Sequence, residues 1–244
     1  MNYVAIDPSL SCTAMVVNDK KFVYTTPTVA HTKKGELKRW FQECEDQGVR
    51  IRVFDEIEGD LTHSELELRK LGHFSRIVDT ISEDIDIFCD SSKGIVVAIE
   101  GYSYSSAAGP LIDLVTFGTL LRRAIYNRFR ASDDISGVQI PELRIYQPTE
   151  VKQKAAALVY PAIQKGKKTE YRNPDGVAGG SFKKPEIYKA LLHNTNLKGD
   201  KWVEFIREQS EEILDMKSIP KPIEDINDAK TLYEIIKAPQ PLNK

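Results

Sequence analysis

Gly94-Ile-Val-Val-Ala-Ile-Glu100 is an almost unbroken apolar run closed by a single carboxylate. A strand buried on both faces has this pattern, because helices cover the sheet above and below it. Upstream, Leu68, Leu71, Ile77, Ile81, Ile85 and Phe88 recur at mostly helical spacing and predict one long helix over residues 62–89. Nearer the N-terminus lie three short β-prone runs, at residues 3–7, 13–17 and 22–26. Asn18-Asp19 makes a turn between the last two, and together they predict an antiparallel meander. A helix over 36–46, closed by Gly48, and a strand over 49–54 complete that half. Downstream the pattern predicts a helix over 110–130, a strand over 143–146 and a helix over Pro148–Val159. Three more helices follow at 185–193, 201–215 and 223–236. Residues 161–184 carry Pro, Gly, Lys and Asn without apolar periodicity and read as a basic loop. That is longer than the roughly 12–15 residues usual for a structureless connection, which marks a functional segment. The element order predicts an α/β fold, a mixed β-sheet flanked by helices.

The chain has 244 residues, 41% hydrophobic and 29% charged, a composition that supports a sizeable globular core. No linker divides it, so residues 1–244 are expected to form a single domain. No apolar run reaches the ~18–20 residues of a membrane span, and no signal-peptide pattern opens the chain. Cys12, Cys44 and Cys89 lack metal-ligand or CxxC spacing, which argues against a disulfide framework or zinc site. A reducing, cytoplasmic compartment is expected. The net charge of −2 is unevenly spread: residues 43–100 carry −9, whereas 122–201 hold sixteen basic against eight acidic side chains. That basic block is either a binding face or an ordinary solvated surface.

Asp7 ends the first strand and Glu100 the buried one, while Asp225 and Asp228 stand at i and i+3 near the start of the last helix. If the two strands are neighbours, the carboxylates emerge together and the helix can bring the other two over them. Four converging carboxylates stay ionised cheaply only with a cation, and hard oxygen donors suit Mg²⁺ or Mn²⁺. A pair of such ions serves in-line phosphoryl chemistry. Taken singly, an acid at a strand end is commonly a turn or cap residue, and Asp225 near a helix start is favoured by the dipole. Glu100 is the exception, because it follows an all-apolar strand and precedes Gly101-Tyr102.

These residues resemble a known family. Ala5-Ile-Asp7-Pro-Ser-Leu-Ser-Cys-Thr13 is similar to the opening motif of the RuvC-type Holliday junction resolvases, which have a ribonuclease H-like fold. Val97-Ala-Ile-Glu100 resembles their second acidic motif, Tyr146-Gln-Pro-Thr-Glu-Val-Lys152-Gln their lysine-bearing strand-to-helix segment, and Asp225-Ile-Asn-Asp228-Ala their closing helix. The four occur in family order across residues 3–236. Ser9 and Ala14 stand where the family has glycines, and the stretches at about 27–60 and 161–184 are enlarged. The enlarged loops resemble versions encoded by viruses of bacteria.

The resemblance implies that Asp7, Glu100, Asp225 and Asp228 ligate two Mg²⁺ ions, with Glu224 an alternative to Asp225. It implies a functional Lys152 and a second lysine, Lys184 or its neighbour Lys183, at the scissile phosphate. Tyr102 and Tyr104 lie where the family stacks an aromatic ring on a base; either ring equally fits packing on the next helix. Arg122, Arg123, Lys165, Lys167, Lys168 and Arg172 are candidates for phosphate contacts along the arms of branched DNA. Leu114, Phe117, Leu121 and Ile125 face either a twofold partner or the sheet. The expectation is a Mg²⁺-dependent endonuclease that resolves four-way junctions as a homodimer by paired nicks. A broader fork or flap endonuclease and an inactive junction-binding protein are the alternatives. An actin-like phosphotransferase would need a glycine-rich phosphate loop, which Asp228-Ala-Lys-Thr does not offer.

Overall fold

The computed structural model describes residues 1–102, 108–130, 142–166 and 168–239. Strands β1 (Asn2–Asp7), β2 (Cys12–Val17) and β3 (Lys20–Thr25) form the antiparallel meander. Asn18 and Asp19 both take positive φ, 45° and 66°, which gives the two-residue turn the twist its flanking strands need. Helices α1 (Pro27–Ala30) and α2 (Arg39–Asp46) lead to β4 (Arg50–Val53), which pairs parallel with β3 at the sheet edge. The long helix α3 (His63–Phe88) starts at a capping box, in which Thr62 and Glu65 satisfy each other's backbone amides. Strand β5 (Ile95–Glu100), helix α4 (Ala108–Arg130), strand β6 (Glu142–Tyr146) and helix α5 (Pro148–Val159) follow.

The sheet order is β4-β3-β2-β1-β5-β6, with β5 parallel to both β1 and β6. It is a six-stranded mixed sheet with helices on both faces, as expected. Alternation decides what each face carries. Val4, Ile6, Val97 and Ile99 point to the layer of α3 and α4, where Phe74, Ile81, Phe117 and Leu121 complete one core. Ala5 and Ala98 point the other way, towards the last helix, α9 (Ile223–Lys237). The small side chains let α9 pack closely on β1, β2 and β5. Phe117, Leu121 and Ile125 therefore face the sheet rather than a partner.

Three expectations differ. Residues 161–184 contain a hairpin, β7 (Ala162–Lys165) with β8 (Lys168–Tyr171), turning at Gly166 with φ +64°. Its strands are short and mostly exposed, so they lack the apolar alternation that marks a strand in sequence. The helix expected over 201–215 is two, α7 (Lys201–Glu208) and α8 (Ser210–Asp215), divided at Gln209. The helix at 36–46 starts only at Arg39, because Lys38 is extended. Helix α6 (Lys184–His193) completes the set. Cys12, Cys44 and Cys89 are free thiols. Among the described residues no helix is long and apolar enough to cross a membrane.

Candidate active site

The β1–β5 register puts Ile6 beside Ile99, so Asp7 and Glu100 follow as neighbours at the ends of parallel strands. Both share the face of Ala5 and Ala98, the face covered by α9. A turn after Asp7 is closed by Thr13, whose hydroxyl donates to the Ser9 carbonyl at 2.7 Å and accepts from the Ser9 amide at 3.1 Å. Beyond Glu100, the Gly101 amide donates to the Tyr146 carbonyl at 2.7 Å. A side chain at Gly101 would press on that carbonyl at 3.2 Å, so the chain leaves β5 tightly against β6.

Helix α9 brings the remaining acids. Asp228, 5% exposed, faces the two strand-end carboxylates, and the Lys184 ammonium from the start of α6 donates to it. Lys184 also lies 3.3 Å from Glu224, one helical turn before Asp228. Asp225 turns elsewhere: one oxygen accepts from Lys221 Nζ at 2.5 Å, and the buried Cys12 thiol also hydrogen-bonds to its carboxylate. Glu100, Lys152, Lys184 and Asp228 line one cavity of about 160 Å³, with Lys183 at its rim.

The electrostatics follow from this crowding. Burial raises Asp7 well above the usual carboxylate range, and Glu100 and Asp228 raise it further. Glu100 is pushed up to about 7 by burial and by Asp228, against the pull of Lys184 and Lys152. Asp228 is pushed up to about 6, chiefly by burial, against Lys184. Lys184 loses charge stability through burial but is held firmly protonated by Asp228, Asp7 and Glu224. Buried carboxylates that repel each other in this way need a positive counter-charge. As the side chains are placed, no group of three acid, thiol or imidazole side chains among the described residues stands ready to hold a metal. The cation in the cluster is the ammonium of Lys184. The donor set itself, the carboxylate oxygens of Asp7, Glu100 and Asp228, fits a hard divalent ion.

The nucleic-acid candidates are scattered. The Tyr102 ring lies on α4, its hydroxyl donating to the Val115 carbonyl at 3.2 Å and its face 4.3 Å from the Arg122 guanidinium. Tyr102 and Arg122 are thus engaged with each other. Arg172 is held by Glu170 at 2.8 Å and by the Gly176 carbonyl. Arg123, Lys168 and Lys183 are exposed, and Lys165 is exposed 4.0 Å from Glu170. Tyr104 and Lys167 lie outside the described residues. Sequence reading missed Lys221, whose signal was its i, i+4 spacing to Asp225, and Gly118, whose signal was a glycine inside a helix.

Gly118 makes the Tyr102 seat possible. A Cβ there would stand 2.7 Å from the Tyr102 hydroxyl and 2.8 Å from its ring. Alanine at an open helical site stabilises by about 1 kcal/mol over glycine. Here Gly118→Ala is expected to bring no such gain, because the Tyr102 ring must leave its place on α4 to admit the methyl. Thermal unfolding of the variant measures the sign directly, and a raised melting temperature would contradict this packing.

No family model matches the chain, and no curated protein matches it. Among solved structures it is similar to the RuvC of Thermus thermophilus in complex with a Holliday junction substrate. The identity is 13% and the TM-score 0.39, covering 96% of this chain and 91% of that one. A second structure of Thermus thermophilus RuvC gives 13% and 0.40, over 96% and 92%. The yeast mitochondrial Holliday junction resolvase gives 10% and 0.40, over 96% and 76%. At such values function rests on the site itself.

Proposed function

We propose that this protein is a metal-dependent endonuclease that resolves four-way DNA junctions, acting as a homodimer by paired nicks. The observation that supports this best is the meeting of Asp7, Glu100 and Asp228 from three separate elements, with Lys152 and Lys184 on the same cavity. Carboxylates for cations beside ammonium groups for phosphate form the donor set of phosphodiester hydrolysis. Asp7, Glu100 and Asp228 would hold Mg²⁺ or Mn²⁺, with Asp225 or Glu224 completing the set. Bound there, the metal supplies an activated water and charge neutralisation at the departing oxygen. Lys184, which now holds Asp228, would be released to meet the scissile phosphate if that carboxylate served a divalent cation instead. Lys152 approaches the same cavity from α5 and stabilises charge developing on that phosphate. Exposed Ile112, Val115 and Tyr126 form an outward stripe on α4 that suits a twofold partner.

The test is cleavage of labelled four-way junctions, forks and linear duplex in Mg²⁺. Paired, symmetric nicks confined to the junction support the proposal; equal cleavage of forks points to the broader nuclease. Turnover in excess chelator would sink it.

The raised carboxylates also set a stability pattern. A carboxylate whose native pKa lies above its unfolded value stabilises the fold while protonated, and loses that contribution as pH rises through the native value. With Asp228 at about 6 and Glu100 at about 7, the chelated protein is expected to lose stability between about pH 4.5 and 7.5. Mg²⁺ at a hundred times its Kd would then add about 2.7 kcal/mol, roughly 5–10 °C in melting temperature. The gain should be larger at pH 8 than at pH 5.5. Melting curves with Mg²⁺ and with EDTA across that range check it, and a gain independent of pH would contradict the site.

A further inference from the structure

Next to the acidic cavity, one residue further around α5, lies a second hollow of about 310 Å³, walled by Gln153, Thr169, Tyr171, Gly179, Gly180 and Ser181. We propose that it binds one unpaired nucleobase of the cleaved strand, adenine by preference, read by the Gln153 amide. The proposal rests on the nuclease reading above and names a specificity residue for it.

The hollow has a fixed wall. A Cβ at Gly179 would lie 2.5 Å from the Ala156 methyl and 3.3 Å from both Gln153 Cα and the Lys152 carbonyl. Only glycine lets this segment lie so flat on α5, so its backbone is pinned against the helix that carries Lys152. At the next residue, a Cβ on Gly180 would stand 3.1 Å from Gln153 Nε2, so the amide lies against this backbone along the wall of the hollow. Thr169 is spent on Gln164, its hydroxyl accepting at 3.0 Å. Among the described residues, Gln153, Tyr171 and Ser181 have no side-chain hydrogen bond within the chain. An amide offers a donor and an acceptor side by side, the pair that matches N7 and N6 of adenine, and Tyr171 adds aromatic surface for stacking.

Placement argues for a nucleotide over an unrelated small molecule. Lys152 and Gln153 are consecutive on α5, so the two hollows are separated by about one helix width, ~10 Å. At roughly 3.4 Å or more per nucleotide, that is one to three nucleotides from the scissile phosphate. Lys165 and Lys168 stand exposed at the turn of the β7–β8 hairpin, whose second strand walls the hollow through Thr169, Glu170 and Tyr171, and its one acid, Glu170, is already held by Arg172. A further hollow of about 520 Å³ shares Gln153 and Tyr171 and runs on towards Ala238, which leaves the strand an open course.

The experiment is a set of four-way junctions in which each of three positions on either side of the nick carries A, C, G or T in turn. Cleavage rates are compared for wild type, Gln153→Ala, Gln153→Glu and Gly180→Ala. Wild type is expected to favour adenine at one position by roughly tenfold or more. Gln153→Ala and Gly180→Ala should flatten that preference while cutting the disfavoured junctions at near wild-type rate. Gln153→Glu should move it towards cytosine, whose exocyclic amine donates to a carboxylate. Wild-type cleavage without base preference at these positions, or an unchanged preference in Gln153→Ala, overturns the assignment and leaves the nuclease reading standing. Failure of wild type to cut any branched DNA overturns both.

Discussion

Replacement of Asp7 by asparagine is expected to reduce junction cleavage by roughly 10³-fold or more while leaving junction binding nearly intact. Asn keeps the size and one oxygen but removes the charge that draws a cation. Asp7 is the acid most burdened by its neighbours: burial, Glu100, Asp228 and Asp225 all raise it, and only Lys184 opposes them. A group so placed destabilises the metal-free fold as an anion, so the same substitution should raise the melting temperature in chelator at pH 8. Loss of activity together with gain of stability is the signature of strain kept for function. Gel-shift affinity in Ca²⁺, cleavage in Mg²⁺ and melting in EDTA measure the three quantities on one preparation. Cleavage persisting at the wild-type rate would remove Asp7 from the reaction, and a fall in stability would make it a structural acid.

Asp7 and Glu100 were legible because each closes a run whose burial is written in its composition. The apolar run at 94–99 read as a strand covered on both sides, and a carboxylate at its end emerges beside Asp7 once the two strands are neighbours, which they are at the centre of the sheet. The identity of the covering helix was legible only as a possibility, since α9 is buried all round and its periodicity names no face. What stayed hidden depends on contacts between distant segments. Whether Tyr102 lay on α4 or stood free turned on Gly118, sixteen residues on. The basic stretch at 161–184 looked like a loop because the hairpin strands pair with each other and bury little. The direction of Asp225 followed from Lys221, whose charge reads in sequence as one more solvated lysine.

Lys230→Ala is expected to destabilise the protein by about 3–5 kcal/mol, which at this chain length lowers the melting temperature by roughly 6–20 °C. Lys230 is 0% exposed, and its ammonium lies 2.8 Å from Asp200, 2.9 Å from Glu234 and 3.3 Å from Asp19. Removing it leaves Glu234 without its counter-charge and Asp200 with only the attraction of Lys21, which costs more than the pair contributes when intact. Asp200 also caps α7 through the Trp202 and Val203 amides, so the lysine joins the β2–β3 turn, the α7 N-terminus and α9 at one point. Asp200 is desolvated by burial, yet its bond and attraction to Lys230 hold it below the usual carboxylate range. Its contribution is therefore present above that range and lost as pH falls through it, so the gap between wild type and variant should narrow in acid. Lys230→Met combined with Asp200→Asn and Glu234→Gln should recover most of the stability, because it removes the stranded charges along with their partner. The same helix carries Asp228 two residues before Lys230, so the rescued protein also asks whether the network positions the site. Recovered melting with recovered cleavage would assign the network to stability alone, whereas recovered melting with cleavage still reduced would show that the buried ammonium also fixes how α9 presents Asp228 to Asp7 and Glu100.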